Sequence, residues 1–181
     1  MGFAFKTEYL PHYTYEDYCQ WGGNWELIEG VLYAMSPSPT YRHQKVATNI
    51  LTTLSNQLKS CKNCEALSPF DWKINENTVV QPYVSVICKP VTNNNYLTFA
   101  PILIFEVISP ASVKRDKNIK FELYKSEGVK FYVVVDVQTE KAEIFELKGV
   151  DYVKVLQAHD QLHTFQLDGD CSVQVSFAAI W

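Results

Sequence analysis

Residues 101–109 read PILIFEVIS, an apolar run that contains one carboxylate, Glu106. Such a run predicts a central β-strand that is covered on both faces. A second apolar run, FYVVVDV over residues 131–137, predicts another buried strand. Between the two, residues 112–128 (SVKRDKNIKFELYKSEG) predict a helix that ends at Gly128. A strand, a helix and a strand in this order are typical of an α/β or α+β fold.

The upstream half predicts a further long helix and a hairpin. From Val46 onward apolar side chains recur every four residues, and Thr40 precedes them as the expected N-cap. Residues 67–74 and 79–88 flank the turn-rich tetrad NENT and predict two paired strands. Further alternating segments predict extra strands nearer the two termini: 25–35, 141–157 and 172–181. We therefore expect a mixed β-sheet flanked by two main helices.

The composition limits the classes of protein to consider. Of 181 residues, 47% are hydrophobic and 14% aromatic, which supplies a packed core and excludes intrinsic disorder. The length predicts a single domain, residues 1–181. No apolar stretch reaches the length of a membrane span, and residues 1–13 lack the apolar core of a signal peptide, so we expect a cytoplasmic protein without membrane contact. The net charge of −4 argues against a general polyanion binder.

Five cysteines, an odd number, predict reduced thiols rather than a disulfide framework. Cys61 and Cys64 form a C-x-x-C pair, but the other three cysteines are scattered singly, so a four-ligand zinc site is not expected. The pair follows a predicted helix and precedes a predicted strand, which is not the context of a thioredoxin-like motif.

Glu106 is the first candidate for a functional residue. A carboxylate within an apolar run is costly unless it is paired or binds a metal ion. The alternative is that Glu106 reaches solvent at the end of the sheet, but Ile104 and Ile108, which share its face, are both apolar. We favour a functional carboxylate, because perturbed carboxylates concentrate in sites.

A basic cluster follows Glu106. Residues 114–130 contain six basic and three acidic side chains, a local balance of +3, so the rest of the chain carries −7. Basic side chains near a buried carboxylate fit a phosphodiester site, in which cations bind phosphate and the carboxylate binds Mg²⁺. The alternative is a solvated helix face with Asp116 and Lys120 as an i,i+4 pair. That alternative explains the helix but not Glu106.

His43 lies in the first turn of the upstream helix. The helix dipole disfavours a charged imidazole there, so a neutral His43 could bind a metal ion or accept a proton. The alternative is an ordinary cap or surface residue, which is the more frequent role of a single histidine at a helix terminus.

Five segments of the chain occur in the order that one known family shows. They are YTYEDY (13–18), WELIEGVLYAMSPSPTYRHQKV (25–46), VVQPYVSVIC (79–88), FEVISPASVKRDKNIKFELY (105–124) and GVKFYVVVD (128–136). Together they resemble a bacterial family of Uma-type restriction endonucleases, which belongs to the PD-(D/E)xK nuclease superfamily. The most specific part is EVISPAS followed by R-D-x-x-x-K.

The resemblance implies a restriction-endonuclease-like fold, Mg²⁺- or Mn²⁺-dependent hydrolysis of DNA, and a homodimer, because such folds frequently dimerise. Glu106 matches the metal-binding acid of the family. The lysine expected two residues later is replaced by Ile108, and Lys120 on the following helix matches its position instead. Glu26 and His43 match two further positions around the pocket.

The sequence departs from the family at one ligand. Relatives have an aspartate after Gln-Pro, whereas this chain has Tyr83. A phenol stays neutral at pH 7 and is a poor ligand for a hard cation. Either Asp71, across the predicted hairpin from Gln81, supplies the missing metal ligand together with Glu106, or cleavage is lost. In the second case the protein is a nuclease-fold module that binds a protein partner or nucleic acid, and we favour impaired or absent catalysis.

Overall fold

The computed structural model describes residues 11–35, 40–109 and 115–181. Within these ranges the strands are β1 (Trp25–Ile28), β2 (Val31–Ala34), β3 (Glu65–Leu67), β4 (Trp72–Asn75), β5 (Thr78–Val80), β6 (Val84–Ile87), β7 (Leu103–Ile108), β8 (Phe131–Asp136), β9 (Lys141–Lys148), β10 (Asp151–Ala158), β11 (Leu162–Gln166) and β12 (Ser172–Ser176). They form a four-stranded sheet in the order β2-β1-β5-β4, a six-stranded sheet in the order β10-β9-β8-β7-β6-β3, and the ribbon β11-β12. The mixed α+β architecture that the sequence predicts is confirmed.

Three α-helices accompany these strands in the described ranges: α1 (Tyr15–Tyr18), α2 (Tyr41–Leu58) and α3 (Lys120–Ser126). Thr40 caps α2 as predicted, since its hydroxyl accepts a hydrogen bond from the His43 backbone N–H at 3.3 Å. A π-helical turn, Arg115–Ile119, leads directly into α3. None of the described helices is both long and apolar enough to cross a membrane.

The six-stranded sheet separates two hydrophobic cores, and β7 contributes to both. Phe105 and Val107 face one core together with the buried residues of α2. Ile104 and Ile108 face the other core together with Tyr124 of α3. Every residue of β7 is buried, as the apolar run predicts. The strand pairs in parallel with β8 and antiparallel with β6, so Glu106 lies on the α3 face at the centre of the sheet.

The predicted continuous strand over residues 79–88 is wrong. The chain leaves the four-stranded sheet after Val80 and enters the six-stranded sheet at Val84, so Gln81, Pro82 and Tyr83 form the crossover between the sheets. Pro82 lacks a backbone N–H and has a fixed φ, which disfavours a continuous ladder at this point. The crossover brings the end of one sheet next to the centre of the other.

The prediction of reduced cysteines is also wrong. Cys61 is bonded to Cys171, and Cys64 is bonded to Cys88, which leaves Cys19 as the free thiol among the described cysteines. The odd count requires only one unpaired residue, and the pairing of distant cysteines cannot be deduced from their spacing. Because the cysteine argument for a reducing compartment no longer holds, the cytoplasmic location stays a prediction.

Reduction of the two disulfides should lower the stability of the fold. The bonds close loops of 110 and 24 residues, and each should contribute roughly 2–4 kcal/mol by restricting the unfolded chain. We expect dithiothreitol to lower the melting temperature of the wild type by several degrees, and Cys61→Ser/Cys171→Ser to reproduce part of this change.

The matched control is Cys19→Ser, which should leave the melting temperature unchanged. Thiol titration of the unfolded, unreduced wild type should find one reactive thiol. Five reactive thiols, together with a melting temperature insensitive to reductant, would contradict the pairing.

Candidate functional site

The ammonium of Lys120 is the centre of a buried cluster of charges. Its Nζ lies 2.6 Å from Glu26 Oε1, 2.8 Å from Glu106 Oε1 and 3.6 Å from Asp116 Oδ1. The Tyr124 hydroxyl donates to the same Glu106 oxygen at 2.8 Å. No more than 3% of the surface of Lys120 or of any of the three acids is exposed. Solvent therefore screens these charges little, and each must find its partner within the protein.

Different elements supply the members of this cluster. Glu26 comes from β1 of the four-stranded sheet, and its Oε1 also accepts the backbone N–H of Gln81 at 3.0 Å. Glu106 comes from the centre of β7, whereas Asp116 and Lys120 come from the π-helical turn and the start of α3. π-Helical turns are wound more widely than α-helices and are frequent at functional sites. Here such a turn lies where Asp116 and Lys120 both project into the cluster.

The cluster has more acids than bases, and this perturbs the pKa of Glu106. Burial, with Asp116 and Glu26 nearby, raises the pKa of Glu106 to about 7, although the Lys120 ammonium acts in the opposite direction. Burial alone would lower the pKa of Lys120, but Glu106, Glu26 and Asp116 outweigh it, so the pKa of Lys120 is raised and the ammonium stays charged.

His43 and Tyr83 lie together beside this cluster. The His43 Nε2 contacts the carbonyl oxygen of Val107 on β7, so Nε2 carries the proton and Nδ1 is a free acceptor. Burial lowers the pKa of His43, which keeps the imidazole neutral as the sequence predicts. The Tyr83 ring packs edge-on against the imidazole, with the ring centroids 4.5 Å apart. Burial, followed by the charge of Glu106, raises the pKa of Tyr83, so its phenol is neutral.

Asp71 pairs with Gln81, as the predicted hairpin register requires. Its Oδ1 accepts hydrogen bonds from Gln81 Nε2 at 2.6 Å and from the Tyr18 hydroxyl at 3.0 Å. Burial raises the pKa of Asp71. These two partners are neutral hydrogen-bond donors of the crossover and of α1, so joint metal binding by Asp71 and Glu106 stays a prediction.

Sequence reasoning missed a second feature of the site, a group of buried polar atoms without partners. In the part of the chain that the structure describes, the buried side-chain atoms without a hydrogen bond are Glu26 Oε2, His43 Nδ1, Arg115 Nε and Asp116 Oδ1. Arg115 Nε is 3.2 Å from Glu26 Oε2 and 3.8 Å from Asp116 Oδ1, which gives charge pairing without an aligned hydrogen bond. The i,i+4 spacing of Asp116 and Lys120 was the available signal, but it equally fits an exposed pair.

The expected basic helix face is largely absent. Lys120 is buried, Lys125 pairs with Glu122 and Asp151, and Lys130 donates to the carbonyl oxygens of residues 166 and 167. Lys114 lies outside the described residues. The local balance of +3 therefore does not translate into a free cationic surface, because charge counted along the chain ignores the direction of each side chain.

The side chains, as they lie, do not fit a Mg²⁺ ion. Mg²⁺ requires oxygen ligands in near-octahedral geometry at about 2.0–2.1 Å. Here the ammonium of Lys120 occupies the space between Glu26 and Glu106, and Tyr83 is a neutral phenol. Across residues 11–35, 40–109 and 115–181, no group of three or more Asp, Glu, His or Cys side chains is arranged to hold a metal ion.

Comparisons with known proteins agree with this fold. Residues 13–175 match the Uma2 family model, which is described as "Putative restriction endonuclease". The chain belongs to the Uma2 family. It is 31% identical to an uncharacterized protein of Synechocystis sp. over 183 residues, which is 94% of each chain.

A solved structure shares the fold. The crystal structure of "a putative nuclease belonging to DUF820" from Anabaena variabilis aligns with a TM-score of 0.74 at 14% identity, over 92% of this chain and 96% of that one. At this identity the likeness concerns the fold alone, which is restriction-endonuclease-like. The single-domain extent and the homodimer stay predictions.

Loss of the Lys120 ammonium should destabilise the fold strongly. Lys120→Met keeps an apolar stem but leaves three carboxylates together in the interior, and we expect a loss of roughly 3–5 kcal/mol in the free energy of unfolding. The matched control is Lys117→Met, which removes a half-exposed lysine from its pair with Glu143 and should cost about 1 kcal/mol or less. Urea denaturation measures both. Equal losses would show that the buried cluster is not a charge-compensated unit.

The stability of the protein should report the pKa of Glu106. A carboxyl whose pKa is raised to about 7 by folding binds a proton more tightly when folded, so its contribution to stability falls as the pH rises from about 4.5 to 7. Glu106→Gln lacks this effect. In EDTA, as the pH rises from 5 to 7.5, the free energy of unfolding of the variant should increase by roughly 1–3 kcal/mol relative to that of the wild type.

Glu143→Gln is the control for this experiment. The pKa of Glu143 is lowered, because its bonds with Lys117 and Lys154 outweigh partial burial. Its contribution therefore disappears only at acidic pH, and the difference from the wild type should stay flat above pH 5. A pH-independent difference for Glu106→Gln would contradict the raised pKa.

Proposed function

We propose that the chain is a DNA-acting nuclease-family protein in which Mg²⁺- or Mn²⁺-dependent cleavage is impaired at Tyr83. Membership of the Uma2 family supports nuclease ancestry and a DNA partner. The observation that carries the proposal is the buried Lys120 ammonium between Glu26 and Glu106. Nearby is the Tyr83 phenol, at the position where the family resemblance implies an aspartate.

Four residues of the site, Lys120, Glu106, Glu26 and His43, have a proposed role in acting on DNA. Lys120 would stabilise negative charge on the attacked phosphate, because a preorganised cation in a dry site stabilises charge more strongly than water does. Glu106 and Glu26 hold Lys120 in place. Glu106 is also the carboxylate that would bind a divalent cation. His43, with Nε2 fixed on Val107 and Nδ1 free to accept, would orient a water molecule or the phosphate.

The impairment follows from the ligand chemistry. Glu106 Oε1 already accepts two hydrogen bonds, from Lys120 and Tyr124, and Tyr83 offers no negative oxygen. A divalent ion would have to displace the ammonium without gaining a second carboxylate from the crossover. Asp71 could supply that carboxylate only by giving up its bonds with Gln81 and Tyr18.

Plasmid nicking in Mg²⁺ and in Mn²⁺ tests the proposal. The wild type should nick slowly or not at all, and Tyr83→Asp should nick roughly tenfold faster or more, because it restores a charged oxygen ligand. Tyr83→Phe removes the hydroxyl without adding a carboxylate and should behave as the wild type. Tyr83→Asp/Glu106→Gln should lose the gained activity.

Two results would overturn the proposal. Nicking by the wild type as fast as by Tyr83→Asp would show that the phenol does not impair the site. Nicking that survives Glu106→Gln would place the chemistry elsewhere. DNA binding without nicking in every variant would favour the alternative, a catalytically inactive module that binds nucleic acid.

A further inference from the structure

A polar groove lies beside the buried cluster, on the same face of the six-stranded sheet. The groove has a volume of about 210 Å³, and its lining consists of Lys117, Val134, Asp136, Thr139, Lys141, Glu143 and Gln157. The carboxyl end of β8, the start of β9 and the π-helical turn contribute these residues. Crevices at the carboxyl ends of neighbouring parallel strands, such as β7 and β8, are frequent ligand sites.

The strand register connects this groove to Glu106. Glu106 pairs with Val134 on β8, Val134 pairs with Glu143 on β9, and Glu143 pairs with Gln157 on β10. Paired residues project to the same face of a sheet, and adjacent strands lie about 4.8 Å apart. The centre of the groove is therefore roughly 10 Å from Glu106, across two strands. Lys117 of the groove is the neighbour of Asp116, which belongs to the buried cluster.

The groove exposes positive charge, which comes from Lys117 of the basic cluster and from lysines of β9 and β10. Lys141 is exposed and has no ion-pair partner among the described residues. Lys117 and Lys154, with side chains 40% and 44% exposed, both pair with the single carboxylate of Glu143. Two lysines that line the groove, Lys117 and Lys141, and the adjacent Lys154 thus outnumber the two acids of the lining, Glu143 and Asp136. Asp136 is engaged with the backbone N–H groups of Gln138 and Thr139.

We propose that this groove binds the DNA phosphate backbone next to the phosphodiester on which the Lys120 cluster is proposed to act. The inference rests on the proposed function, since it names the surface on which the DNA strand lies. Lys141 supplies a direct phosphate contact, and Thr139 and Gln157 supply hydrogen bonds to backbone oxygens. Glu143 holds Lys117 and Lys154 in place, and its negative charge weakens their electrostatic attraction for the phosphates. This arrangement lets a chain with a net charge of −4 bind DNA along one track only.

Fluorescence anisotropy with a labelled DNA duplex, in EDTA and at several salt concentrations, tests the groove independently of cleavage. Lys141→Glu should weaken binding roughly five- to tenfold. It should also reduce by about one the steepness with which the logarithm of the binding constant falls with the logarithm of the salt concentration. Lys148→Glu makes the same charge change at the far, exposed end of β9 and should leave the affinity unchanged. Glu143→Gln should strengthen binding about threefold, because it frees two lysines for phosphate.

The outcomes separate the groove from the proposed function. If the wild type binds but Lys141→Glu binds as tightly as Lys148→Glu, the groove proposal is wrong and the DNA-acting role stands. If Glu143→Gln weakens binding, Glu143 and its lysines are only a structural ion-pair network. If the wild type does not bind DNA even at low salt, both the groove and the proposed function fail.

Discussion

The buried ammonium of Lys120 is the interaction on which the rest of the site depends. It joins β1 of one sheet, β7 of the other and the π-helical turn before α3, through carboxylates at 2.6, 2.8 and 3.6 Å. Without it, three acids would share one dry region of the interior, which is too costly to persist unless protons or another cation replace the charge. The same ammonium therefore links the two sheets, and on the proposed function it occupies the position that a divalent cation would need.

We propose that Tyr83 is the reason why this cluster holds a lysine ammonium rather than a metal ion. The crossover over residues 81–83 brings Gln81 to Glu26 and places the Tyr83 ring against His43. An aspartate at position 83 would add a fourth acid near Glu106 and shift the balance toward a divalent ion. The phenol adds none, so one lysine, with Arg115 beside Glu26 and Asp116, comes close to neutralising the cluster. On this proposal, a single residue in the crossover sets whether the site favours an ammonium or a metal ion.

The elements that burial determines were predictable from the sequence, and those that depend on side-chain direction were not. The apolar runs predicted β7 and β8, and the four-residue period predicted α2 and its Thr40 cap. The break at Pro82 and the disulfide between Cys61 and Cys171 were missed, because hydropathy reports neither strand continuity nor the pairing of distant residues.

In the site, Glu106, Lys120 and Glu26 meet as expected from the family resemblance. Asp116 and Arg115 were missed because the π-helical turn that directs them has no periodic signature.

The binding of Mn²⁺ to the free protein, followed by electron paramagnetic resonance, tests most directly whether Lys120 has taken the place of the metal ion. We expect the wild type and Tyr83→Phe to bind no Mn²⁺ in this site at neutral pH. Tyr83→Asp should bind the ion, and Glu106→Gln in the Tyr83→Asp background should abolish this binding. A Mn²⁺ ion that binds to the wild type and is lost on Glu106→Gln would contradict the proposed replacement of the metal ion by Lys120, because the carboxylates would then accept a metal ion despite the ammonium between them.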